Sequence, residues 1–385
     1  MKQPISRSSR ILLGLLFVIL APIPLAAACD ICSNLSGDTL GEEMERAKVV
    51  LYGRITASEY FTHPGATPGS GRSTLQIQQV LKDDTLLVNK KELTLGRYLP
   101  VPEPKDPSRI LVFCAAKMDQ LDAYLGKGIR SEAALAYLEG GVKVRAEGRV
   151  QALKYYFQFL DDADPVISHD AFLEFARANN AEVEQVRRSL KPEKLRALMQ
   201  NANTNVEFLG LLGFLLGGCG EPRDADYLLG LIHRNDDASR KARDGLLAGY
   251  LSLKPREGWE LIRSYLADNQ KPIVPDRFSA ISAMRFCYTL KLGDYRQGAL
   301  DCMKVMLPLG DSADFAVEDL RSWQLWDLTT LVLAQYDKES HAAPITRRSI
   351  IRYALCCPLT EARQFLDRAR VRDQEMVRQV EDGLR

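Results

Sequence analysis

The spacing of apolar positions changes once along the chain. Up to about residue 147 apolar residues alternate with polar ones or form short β-branched blocks. From Arg149 onward they recur every three or four positions, which is the helical period. In the first part, Lys48-Val-Val-Leu-Tyr-Gly-Arg-Ile-Thr-Ala57 predicts a strand, with a bulge at Gly53. The stretch 73–81 sets Leu75 and Ile77 against Thr74, Gln76 and Gln78, and the apolar side fades towards Val80. Residues 92–95 and 109–115 complete the strand set, and 63–71 and 100–107 are Gly/Pro loops. Short strands between such loops predict a small barrel or sandwich. Residues 131–140 read as a short helix with a Ser cap and Gly140 as its stop.

In the second part Leu153, Tyr156, Phe157 and Leu160 share one helical face. A polar turn, Asp161-Asp-Ala-Asp164, then leads into Pro165 and an apolar stripe at Ile167, Ala171, Phe175 and Ala178. Proline fits the first helical position because that N–H has no partner in a helix. Helix pairs follow, at 192–200 with 206–216, 222–233 with 239–253, 255–266 with 276–290, 294–307 with 313–323, and 325–336 with 344–356; a closing element begins at 360. First helices that begin at such loosely regular intervals predict stacked repeats. The stretch 206–216 is apolar nearly all round, with Gly210, Gly213 and Gly217 spaced for close helix contact. It is far short of the roughly 20 residues a membrane span needs, so a buried central helix is expected. The fold class is therefore α+β. A β-rich, barrel-like unit over 29–147 precedes an α-solenoid over 148–385, and 1–28 is set apart as a signal peptide.

Two family resemblances accompany this reading. The second helices of the pairs, best seen at 164–171, 277–284 and 344–354, resemble HEAT-type repeats over about 150–370. That resemblance implies an extended binding surface and no particular ligand. Cysteines near the mature terminus, then Ala47-Lys-Val-Val-Leu-Tyr-Gly-Arg-Ile55, Gln79-Val-Leu-Lys82 and Ile110-Leu-Val-Phe113, resemble the netrin-like module. This module has an OB-type barrel and includes the tissue inhibitors of metalloproteinases. The resemblance spans 29–147 and implies an inhibitor-like or adaptor role. The family's full cysteine pattern is missing, since only Cys29, Cys32 and Cys114 fall in this region.

Composition narrows the function. The chain has 385 residues, 46% of them hydrophobic, which is ample for a packed interior. A net charge of +1 with interspersed signs argues against nucleic acid and against an anionic membrane surface. The first residues read as an export signal: Lys2, Arg7 and Arg10, an apolar run at 11–20, breaks at Pro22 and Pro24, then Ala26-Ala-Ala28. Leu25-Ala-Ala-Ala-Cys29 resembles a bacterial lipobox, with Ala26 where that motif usually has Leu. Lipidation of Cys29 and ordinary cleavage after Ala28 both stand. The expected location is the periplasm or cell envelope, and any membrane association comes through the signal or a lipid.

Candidate chemistry is sparse. Cys29-x-x-Cys32 has no preceding strand and no following His, so a haem site is excluded and a structural or anchoring role leads over a redox one. A fastener from the terminal segment to a strand is expected between Cys32 and Cys114. His63, His169, His233 and His341 are scattered, and no nucleophile-elbow or phosphate-loop motif follows a predicted strand. No cofactor or metal is expected. Asp161-Asp162 and Asp236-Asp237 read as helix caps. The most unusual cluster holds Arg321, Trp323, Trp326 and Asp327, a candidate binding surface because Trp and Arg are enriched at hot spots. The alternative is that both indoles pack at a helix corner. The resulting expectation is an exported, non-enzymatic scaffold for a protein or peptide. A thiol–disulfide oxidoreductase using Cys29 and Cys32, or a protease-inhibitor-like adaptor, are the alternatives.

Overall fold

The period-two region forms one antiparallel sheet in a computed structural model, which describes residues 37–384 except 63–66, 68, 88–89, 107, 119, 132, 235, 268–274 and 291–294. Its strands are β1 (Val49–Tyr60), β2 (Gly71–Lys82), β3 (Glu92–Leu95), β4 (Arg109–Lys117) and β5 (Gln120–Ile129), in the order β3-β2-β1-β4-β5. β1 and β4 lie between two cores. Val49, Leu51, Val112 and Cys114 face one with Leu75, Leu93 and Leu95. Val50, Tyr52, Leu111 and Phe113 face the other, which continues into the helices. Burial on both faces explains why the start of β1 is a continuous apolar run rather than an alternation. The predicted irregularity at Gly53 is real: the β1–β2 register slips between Tyr52 and Gly53. A Cβ on Gly53 would come within 2.1 Å of the Gln76 carbonyl oxygen. β3 and β5 are the end strands, and Arg97 reaches from behind β3 to the Tyr124 carbonyl of β5 at 3.2 Å.

The helices are α1 (Leu40–Arg46), α2 (Ala133–Glu147), α3 (Arg149–Tyr156), α4 (Pro165–Ala176), α5 (Asn180–Arg187), α6 (Pro192–Gln200), α7 (Leu209–Cys219), α8 (Pro222–Ile232) and α9 (Asp237–Lys241). They continue as α10 (Arg243–Leu253), α11 (Pro255–Leu266), α12 (Pro275–Leu290), α13 (Arg296–Met306), α14 (Ala313–Ser322), α15 (Thr329–Leu333), α16 (Pro344–Cys356), α17 (Thr360–Arg372) and α18 (Gln374–Asp382). Among the described residues no strand follows β5. Alternate helices stack: α7 on α10, α10 on α12, α14 on α16 and α16 on α18, with α11 on α13 and α15 on α17 beside them. Helix pairs therefore pack in chain order, as the apolar spacing requires.

Two devices hold the stack. At the α7–α10 crossing, glycines remove the side chains that would keep the backbones apart. A Cβ on Gly249 would meet the Gly213 carbonyl oxygen at 2.2 Å, and one on Gly245 would meet that of Gly210 at 2.2 Å. The expected buried central helix is α7. Between later pairs, arginines reach across to acids about one repeat away. Arg243 pairs with Asp276 and Arg352 with Glu318. Arg277 bonds Asp311 at 3.2 Å and Arg285 bonds Asp319 at 2.8 Å, each across 34 residues.

One predicted boundary is corrected. α2 does not stop at Gly140 but runs through Gly140 and Gly141 to Glu147. A Cβ at these positions would fall 2.2 Å from the Tyr155 hydroxyl and 2.8 Å from that of Tyr156. The glycines make room for the tyrosines of α3, with which α2 packs, rather than ending the helix.

Candidate functional site

The residues singled out in the sequence do not converge. Cys29 and Cys32 lie outside the described residues. Cys114 is a free thiol on β4, wholly buried and pushed up to about 11 by that burial and, to a lesser extent, by Asp122. There is no disulfide among the described residues, and Cys219, Cys287, Cys302, Cys356 and Cys357 are also free. Trp323 and Trp326 are half-buried at the end of α14. Trp323 stacks on Tyr288 of α12 with ring centroids 3.9 Å apart, and Trp326 meets Tyr353 of α16 edge-on at 5.0 Å. Gln324 takes a left-handed conformation between them, φ 55°. The Leu325 N–H then closes back on the Leu320 carbonyl at 2.8 Å, the Schellman ending of a helix. Arg321 bonds Glu318, and Asp327 pairs with Arg296.

An apolar hollow lies elsewhere, where α1, β2 and α2 meet. Thr39 and Glu42 form a capping box at the start of α1. The Leu40 N–H donates to Asp170 Oδ1 at 2.6 Å, and the Tyr137 hydroxyl of α2 donates to Asp170 Oδ2 at 2.6 Å. At the other end of α1, Lys82 Nζ donates to the Met44 and Glu45 carbonyls, both at 2.9 Å. It both caps the helix and ties it to β2. Arg145 of α2 donates to Glu174, to Thr39 Oγ1 at 3.0 Å and to Glu45 at 3.0 Å, while Arg149 reaches Glu174 at 2.6 Å. A wholly buried Glu174 carboxylate is thus met by two guanidiniums. Burial raises the Asp170 carboxyl to about 7, with Glu174 adding to the shift against the hydrogen bonds from Tyr137 and Leu40 and the charge of Arg145.

These pinned elements enclose a groove of about 540 Å3. Its floor and walls carry Met44, Val80, Leu81, Leu138 and Val142, and its rim carries Glu45, Lys82, Glu139, Lys143 and Arg145. Val80 is 39% exposed and Val142 52% exposed, so apolar side chains face solvent in a preformed hollow. A smaller polar hollow of about 270 Å3 lies over the turn at Asp161 and Asp162. It includes His169, whose pKa is lowered by burial and then by Lys127. Among the described residues no group of three or more His, Cys, Asp or Glu could hold a metal. No helix of the described chain is long and apolar enough to cross a membrane.

Sequence reasoning missed the groove because its walls come from segments about forty to a hundred residues apart. Two signals were present. Val80 broke the alternation of β2, and Val142 lay beyond a glycine read as a stop.

Comparison with known proteins adds little. No family model matches the chain, and no curated protein matches it. Human deoxyhypusine hydroxylase in complex with glycerol, a solved structure, matches over 64% of this chain and 88% of its own, with 15% identity and a TM-score of 0.27. The expectation that the chain is non-enzymatic does not stand beside a match to an enzyme, and a TM-score of 0.27 carries no activity over to this chain. The exclusion rested on linear motifs, and a site assembled from separate helices leaves none. A likeness this distant supports no particular reaction.

Proposed function

We propose that this chain is an exported protein that binds a protein or peptide partner in the groove between α1, β2 and α2. The observation that carries the reading is an open apolar hollow whose exposed Val80 and Val142 sit on elements already fixed by Asp170, Glu174 and Lys82. Walls that need no ordering on binding reduce the cost of association, and exposed apolar clusters rimmed by polar residues are the usual mark of a binding surface. Export rests on Lys2, Arg7 and Arg10 ahead of the apolar run at 11–20. We read the sheet region as netrin-like, supported by the five-stranded order. The helix pairs are read as HEAT-type, supported by alternate stacking and the arginine-to-acid pairs one repeat apart.

A photo-crosslinking residue placed at Val142 in the full chain, inside cells, tests the reading. It should give discrete adducts that are absent when the same residue replaces Val371, which is 87% exposed on α17. Equal labelling from both positions, or none from Val142, would overturn it.

A further inference from the structure

The wall that β2 contributes to the groove is unusual. Four consecutive residues, Gln79, Val80, Leu81 and Lys82, line it, and no residue of β1 or β3 does. Gln79 and Lys82 pair with Tyr52 and Val50, which face the core shared with the helices. Leu81, skipped by the register, packs against that core too, so the bulge turns three of the four towards the hollow, beside the strand's edge. That edge is open. β3 pairs with β2 only from Ser73 to Gln76, opposite Leu95 to Glu92, and the Ile77 N–H then donates to Lys91 at 2.9 Å. Among the described residues nothing pairs with 78–82 on this side, while β1 covers the other edge up to Lys82. The vacant lane continues the line that β3 already occupies. Register slips on the β1 side skip Gln78 and Leu81, and bulges of this kind re-aim side chains near binding sites. The rim has a polarity too. Glu139 meets Gln79 at 3.5 Å at one end, and Lys82, at the other, holds the end of α1, with Lys143 one turn along α2 from Glu139.

We propose that the groove takes an extended segment of another protein, which adds as a strand to the open half of β2 and runs antiparallel to it, as β3 does. The proposal rests on the groove being the docking site. Main-chain hydrogen bonds to the edge hold the segment, and alternate side chains set specificity. One apolar side chain inserts between Met44, Leu138 and Val142. Antiparallel entry places the N-terminal end of the segment near Lys82. An acidic residue there faces Lys82 and Lys143, and a basic residue further along faces Glu139.

The probe is a displayed library of random nine-residue peptides selected on the immobilised full chain. Binders should show apolar residues at alternate positions with an acid ahead of a base. Val142→Glu should weaken them at least tenfold, and so should N-methylation of alternate backbone amides in the synthetic peptide. Binders that need Val142 yet tolerate N-methylation throughout, or that space their apolar residues as a helix, overturn strand addition and leave the groove reading intact. Binders indifferent to Val142→Glu, or no enrichment at all, remove both. Self-association of the chain that Val142→Glu dissolves assigns the lane to a second copy, which also overturns the proposal.

Discussion

The Arg277 guanidinium of α12 is buried and reaches Asp311, 34 residues further along, at 3.2 Å. It joins one helix pair to the next through a charge that cannot reach water. Removing one partner of such a pair is worse than removing the charge itself. Asp311→Ala should cost about 3 kcal/mol, and Arg277→Met distinctly less, since methionine fills the space without leaving a charge behind. Urea unfolding of both variants checks the order, and equal losses would mean that leaving the buried charge unpaired costs no more than removing it.

Backbone contact at the α7–α10 crossing gives a second expectation. Gly249→Ala places a methyl group 2.2 Å from the Gly213 carbonyl oxygen, so the helices must separate, at a cost of about 3 kcal/mol. Gly230→Ala, in α8 with nothing within 4 Å of the new atom, should instead stabilise by about 0.5–1 kcal/mol. Thermal unfolding of the two variants should move in opposite directions.

Asp170 makes stability depend on pH. Burial lifts its carboxyl from 3.8 to about 7 in the folded chain, so folding favours the protonated form. Its contribution is full below about pH 4 and is lost as the pH rises through about 7. Asp170→Asn keeps an acceptor for the Leu40 N–H and cannot ionise. It should be more stable than the wild type at pH 8, by up to roughly 4 kcal/mol, with the difference closing towards pH 4. A constant difference across that range would show that Asp170 does not titrate there.

Trp323 packs against Tyr288 as part of the fold, whatever else its exposed edge does. Trp323→Ala should lower stability by about 2 kcal/mol, less than for a wholly buried indole because the ring is half-buried. Asp327→Asn, at a pair with Arg296 in which both side chains are over 40% exposed, should change stability by less than about 1 kcal/mol. Differential scanning calorimetry separates the two effects.

What the sequence revealed depended on how local the cause was. The change of period located the sheet and the stacked helices, and the spacing of Gly210, Gly213 and Gly217 announced the close crossing of α7. β5 escaped because it is an end strand whose residues are largely half-buried or exposed, so its alternation is faint. α5 escaped although Asn179 and Glu182 form a capping box, a sequence signal of a helix start. Gly140 misled because a glycine placed for a neighbouring tyrosine looks the same as one that ends a helix. The groove depends on three segments meeting through Asp170, Glu174 and Lys82, a relation that no single stretch encodes.

The core shared by sheet and helices also shapes how the protein must be made. Val50, Tyr52, Leu111 and Phe113 are covered by a cluster that draws on α2, α3 and α4, and α4 packs on β5. While the chain is being synthesised, the strands emerge first, with that apolar face bare until residues to about 176 have followed. A shortened product ending after β5 would keep the same uncovered surface for good. It should therefore collect as insoluble material, whereas the full chain should not.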